Sequence, residues 1–63
     1  MIRRSQVDKI LAAHRCVSRE LRSGDVTSLT RAVAVLYAAQ RNASFEENQQ
    51  AAFLRIAELH LAN

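Results

Sequence analysis

The sequence predicts an all-α fold, a small three-helix bundle in one domain over residues 1–63. The chain contains no proline and a single glycine, the two residue types that most often interrupt helices. Alanine, leucine and arginine are strong helix formers and are abundant, whereas the β-branched residues are scattered rather than alternating. We therefore expect three amphipathic helices at about 6–23, 26–41 and 45–62.

Capping residues set the limits of the first two predicted helices. Ser5 is expected to cap the first helix by accepting a hydrogen bond from the amide of Asp8. The helix should end near Ser23, because Gly24 readily adopts the left-handed conformation that terminates helices. Asp25 then follows as the cap of the second helix.

The third predicted helix begins at a capping box. Ser44 and Glu47 are three residues apart and can each satisfy the backbone amide of the other. No glycine or proline separates the second helix from the third. One continuous helix over both segments therefore stays open as an alternative.

Helical periodicity predicts a core face on each helix. The three faces share an apolar stripe that repeats at intervals of three and four residues. They comprise Val7, Ile10, Leu11, His14, Val17 and Leu21 in the first helix, Val26, Leu29, Ala32, Val33, Leu36 and Tyr37 in the second, and Phe45, Ala52, Phe53, Ile56, Leu59 and His60 in the third.

Further apolar surface on the second and third helices predicts a homodimer. A domain of this length hides only about 60% of its unfolded surface, and its single cysteine, Cys16, excludes an internal disulfide. A helix that is apolar on two sides is normally buried on two sides. The alternative is that scattered exposed apolar residues need no explanation. The predicted dimer interface consists of Val35, Ala38, Leu54, Ala57 and Leu61.

Four arginines on the first helix form the predicted partner-binding site. Arg4, Arg15, Arg19 and Arg22 fall within a sector of about 60°, with Asp8 among them. Such like-charged neighbours repel each other unless something neutralises them. Three explanations stay open: a solvated face, an acidic protein surface, or the phosphates of a nucleic acid. The acidic surface could include the glutamates of a second subunit.

No pattern typical of catalysis, cofactor binding or metal binding stands out. One glycine cannot form a phosphate-binding loop. His14 and Cys16 are two residues apart and point to nearly opposite sides of a helix, and no spacing among His14, Cys16 and His60 fits a tetrahedral metal site. We expect a non-enzymatic protein without cofactor or metal.

These features predict a small helical regulator or adaptor, of bacterial or phage type, that acts by protein–protein binding as a homodimer. The absence of a signal sequence or membrane span predicts a cytoplasmic location. The alternative is a nucleoid-associated or transcription-modulating protein that uses the four arginines on nucleic acid. The run Lys9-Ile10-Leu11 is followed by residues at intervals of seven and is similar to the oligomerisation segment of bacterial histone-like nucleoid-structuring proteins. No motif diagnostic of that family accompanies it. The residues at intervals of seven are Arg15, Arg22, Leu29 and Leu36.

Overall fold

A computed structural model describes residues 1–62, and within them it contains three α-helices and no strand. The helices are α1 (Arg4–Ser23), α2 (Val26–Arg41) and α3 (Phe45–Ala62). The prediction of three helices is confirmed. The second and third helices are separate, because the backbone leaves the helical conformation at residues 42–44.

The cap predictions hold at three of the four helix ends considered. Gly24 ends α1 with a φ of 76°, and the Asp25 carboxylate caps α2 by accepting from the Thr27 amide at 3.1 Å. Ser44 and Glu47 form the capping box: the Ser44 amide donates to Glu47 Oε1 at 2.7 Å, and the Glu47 amide donates to Ser44 Oγ at 3.1 Å.

The predicted cap of α1 is wrong. The helix begins at Arg4, so Ser5 lies inside its first turn, and the capping position is Arg3, whose side chain makes no capping hydrogen bond. The Arg3 amide instead donates to Glu47 Oε2 on α3 at 2.6 Å. A tertiary contact therefore fixes the start of this helix where a local cap was expected.

The three helices form an open layer with α1 in the middle. α1 packs against both α2 and α3, whereas α2 and α3 have little contact with each other. One such contact is the hydrogen bond from Asn48 Nδ2 to Gln40 O, close to the connection between the two helices. The molecule measures 37 × 28 × 14 Å, which is thin in one direction. α2 runs antiparallel to α1 after the turn at Gly24. α3 runs in the direction of α1, since Glu47 contacts Arg3 and Glu58 contacts Arg15 further along both helices.

The hydrophobic core is small and lies where all three helices meet. Val7, Ile10 and Ala51 are fully buried at its centre. The residues that pack around this centre are Leu36, Ala39, Ala43 and Leu54.

The predicted core face of α3 is wrong. Phe45, Phe53 and Ile56 are each more than half exposed, and the side of α3 that meets α1 carries Ala51 and Leu54. Glu47 accounts for the difference, because Arg3 binds its carboxylate and the side chain is buried against α1. The residues one to three turns further along lie on the same side of α3 and therefore also face α1.

Several predicted core residues of α1 and α2 are exposed as well. Val7, Ile10, Leu11 and Ala32 are buried as expected. Leu21, Val26, Val33 and Tyr37 are not, because α2 and α3 do not close over α1.

Candidate protein-binding surfaces

Glu47 lies in the first turn of α3 and binds Arg3, the residue that precedes α1. This contact sets the orientation of α3. Its buried carboxylate accepts hydrogen bonds from Arg3 N at 2.6 Å, Arg3 Nε at 2.9 Å and Arg3 Nη2 at 3.0 Å, besides the Ser44 amide. Arg3 Nη2 also donates to the carbonyl of Asn42 at 3.0 Å. The Arg3 guanidinium and the two amides hold the pKa of Glu47 well below its usual range.

A second carboxylate ties α3 to α1 further along. Arg15 Nε lies 3.1 Å from both carboxylate oxygens of Glu58, and Arg55 Nη1 lies 3.0 Å from one of them. Hydrogen bonds from Arg15, followed by those from Arg55, lower the pKa of Glu58 to about 2. Arg3 could not be singled out in the sequence, because its partner Glu47 is 44 residues away. The pair Arg55–Glu58 is three residues apart on one helix, so helical spacing alone could have indicated it.

The four arginines predicted to bind a partner differ in their surroundings. Arg4 forms an ion pair with Asp8 at 3.2 Å, and Arg15 is paired with Glu58 of its own chain. Arg19 and Arg22 are exposed and form no ion pair with any residue in the range 1–62. Two of the four are therefore free to contact another molecule without breaking an existing pair.

A groove runs between α1 and α2 on one side of the layer. Two adjoining depressions of about 230 and 450 Å³ share Cys16 and Val35. Their lining is mostly of small apolar side chains with charged residues at the rim. This α1–α2 groove is lined by Lys9, Ala12, Ala13, Cys16 and Glu20 from α1, by Ser28, Arg31, Ala32, Val35, Ala38 and Ala39 from α2, and by Asn42 just after α2.

The opposite side of the layer is apolar and uncovered. The residues of α2 that pack against α1 separate two sides of that helix, because successive residues are 100° apart. The groove residues lie on one of these sides, and the exposed Val26, Val33 and Tyr37 lie on the other. On α1, the strip that includes His14 and Leu21 likewise faces away from the groove.

α3 contributes to the same side. The charge of Arg55 is close enough to His14 to lower its pKa, which places the Arg55 side of α3 beside that strip of α1. Continuing around α3 from Arg55, the next large side chains are Leu59, Phe45 and Ile56. We call the exposed side chains on this side the open apolar face: Leu21, Val26, Val33, Tyr37, Phe45, Ile56 and Leu59.

The chain exposes more surface than a globular monomer of its mass. A compact 7.1 kDa protein is expected to expose about 4,100 Å². The accessible surface here is 4692 Å². The members of the open apolar face are between 41% and 74% exposed and include no charged residue.

The residues of the predicted dimer interface lie in three settings. Val35 and Ala38 are exposed in the α1–α2 groove, and Ala57 and Leu61 are exposed on α3. Leu54 packs against the core of its own chain, so less of it can reach a partner.

The residues considered for chemistry are dispersed. His14 is half-buried, and burial followed by the charge of Arg55 lowers the pKa of its imidazole. His60 is exposed, and Cys16 is a half-buried free thiol in the groove. Across residues 1–62, no group of three histidine, cysteine or acidic side chains is placed to share a metal ion.

Comparison with protein-family models, curated proteins and solved structures finds no match to this chain. In the part of the chain that the structure describes, no helix combines the length and apolar character that crossing a membrane requires.

Proposed function

We propose that this protein is a non-catalytic regulator or adaptor that works by protein–protein binding, and that its open apolar face pairs with the same face of a second copy. The observation that carries the proposal is the open apolar face itself. Seven large apolar side chains are exposed on one side of a thin layer, and exposed apolar patches are typical of sites that bind another protein.

The exposed area is large enough for pairing with a second copy. A globular dimer of twice this mass exposes about 6,800 Å², so each chain would bury about 1,300 Å² on pairing. The total, about 2,600 Å², lies in the range of obligate homodimers. The seven side chains of the open apolar face carry no charge, so they can meet the same seven of a second copy across a two-fold axis.

Two exposed arginines of each chain are available to bind a further partner of the dimer. Arg19 and Arg22 lie on the exposed side of α1 and form no ion pair within residues 1–62. Their guanidinium groups suit carboxylates, so an acidic protein surface is the proposed partner.

Nucleic-acid binding is the second candidate function, and the same unpaired arginines favour it. Phosphate contacts release counterions, so binding to nucleic acid would weaken steeply as salt rises. A protein partner anchored by apolar contacts would tolerate moderate salt. A salt titration of the isolated complex therefore separates the two candidates.

The pairing is tested by two matched double variants. Val33→Glu/Ile56→Glu places charges on the open apolar face. Val35→Glu/Leu61→Glu also introduces two glutamates, at exposed positions of the dimer interface that was predicted from the sequence. Light scattering should give a dimer for the wild type and for the second variant, and a monomer for the first. A monomeric wild type at high concentration would refute the pairing, and dissociation of the second variant alone would move the interface to the groove side.

A further inference from the structure

We infer that the α1–α2 groove is a docking site for an acidic amphipathic helix of a partner protein. This inference rests on the proposed function, because it specifies the site and the chemistry of the protein–protein binding. The groove lies on the side of the layer away from the open apolar face, so both surfaces can be occupied at once.

The shape of the groove fits a helix. Its α1 wall extends from Lys9 to Glu20, a length of about 16 Å or three helical turns. Two packed helices present a furrow into which the ridge of a third can pack. Small side chains at Ala12 and Ala38 let the backbone of that third helix approach closely. An extended segment would fit less well, because helix walls offer no free backbone groups to pair with.

The charges around the groove select an acidic occupant. Lys9 and Arg31 stand at its rim, and Arg41 borders the depression next to Asn42. None of these three forms an ion pair with any residue from 1 to 62, and Glu20 is the one acidic residue of the lining. A helix with glutamates or aspartates flanking an apolar stripe would complement both the rim and the floor.

The lining also favours a protein over a nucleic acid. Most of the lining is alanine, Cys16 and Val35, which suit an apolar stripe, and its uncharged polar side chains are Ser28 and Asn42. The aromatic residues Tyr37, Phe45 and Phe53 do not line the groove, so it has no platform for stacked bases.

The test uses a synthetic helical probe and isotope-labelled protein. The probe is a stapled peptide of about 12 residues, the length that spans the groove, with leucine and alanine on one face and glutamates on both flanks. A matched peptide carries lysines in place of the glutamates. We expect the acidic peptide to cause saturable amide shifts that map to Ala12, Cys16, Val35 and Ala38, and the lysine peptide to cause none.

Charge reversal supplies the protein controls. Lys9→Glu/Arg31→Glu should weaken binding of the acidic peptide about tenfold, the size expected for removing two surface attractions and replacing them with repulsions. Gln49→Glu/His60→Glu introduces two glutamates at exposed positions of α3 outside the groove and should leave the affinity within about twofold. All four substituted side chains are exposed.

The results separate this inference from the proposed pairing. Absence of saturable shifts, shifts confined to the open apolar face, equal binding of the lysine peptide, or equal losses in the two variants would each overturn the groove assignment. Light scattering on the same samples reports the dimer independently. A dimer that does not bind the peptide refutes only the groove, and a monomer that binds it refutes only the pairing.

Discussion

The carboxylate of Glu47 connects parts of the chain that are 44 residues apart. It caps α3 through Ser44 and also receives the amide and the guanidinium of Arg3 at the start of α1. A buried carboxylate is costly unless hydrogen bonds and an opposite charge compensate for its desolvation, and here both do. Replacing one member of such an arrangement leaves the other without its compensation.

Glu47→Gln is therefore expected to lower the thermal midpoint of unfolding by about 10 °C, because the amide of glutamine carries no charge for Arg3 and cannot accept at both oxygen positions. The measurement is circular dichroism at 222 nm during heating. Glu46→Gln is the matched control, since Glu46 is the preceding residue and is exposed. Similar midpoints for the two variants would show that the contacts of Glu47 contribute little.

Local capping residues set three of the helix ends, but the start of α1 and the rotation of α3 depend on residues that are distant in sequence. Gly24, Asp25 and the pair Ser44–Glu47 are recognisable in the sequence because capping acts over three residues or fewer. The side of α3 that faces α1 could not be predicted in the same way. That helix has apolar residues on two sides, but the side that meets α1 carries Ala51 and Leu54 between Glu47 and Glu58. The partners of these two glutamates on the first helix are remote in sequence.

The open apolar face could not be predicted either, because it depends on how the helices are arranged in space. Periodicity predicts that the apolar stripes containing Val33 and Leu59 face the core, but both side chains are exposed. It does not reveal that α2 and α3 diverge, so that these stripes remain uncovered within one chain. The positions of Arg4, Arg15, Arg19 and Arg22 on one side of α1 could be predicted, because they follow from helix geometry alone.

The contact between α1 and α3 should weaken in acid. The folded-state pKa of Glu58 is about 2, below its ordinary 4.5. A lowered carboxyl pKa gives stability that is present above the unfolded value and is lost as pH falls through the folded one. Urea unfolding between pH 7 and about pH 2 should show this loss beginning near pH 4.5.

Glu58→Gln isolates that contribution. The variant should be less stable than the wild type at pH 7, and the difference should shrink as the pH falls towards 2, where about half of the folded wild-type molecules carry a protonated Glu58. Glu46→Gln should follow the wild-type profile. A difference between Glu58→Gln and the wild type that stays constant with pH would contradict the ion pair with Arg15.

The molecule as a whole is a thin layer with two different sides. One side carries the open apolar face, and the other carries the α1–α2 groove with Lys9 and Arg31 at its rim. Pairing of two layers through their apolar sides would produce a six-helix core and leave both grooves facing outwards. The small core of a single chain explains why such pairing would matter for stability.

The most direct measurement is an isotope-filtered NOE experiment on a mixture of ¹³C-labelled and unlabelled chains, which detects only contacts between molecules. Pairing through the open apolar face predicts intermolecular NOEs that involve the side chains of Val33, Tyr37, Ile56 and Leu59. A protein that is monomeric by light scattering and shows no intermolecular NOE would contradict the pairing. Intermolecular NOEs that instead involve Val35 and Leu61 would also contradict it.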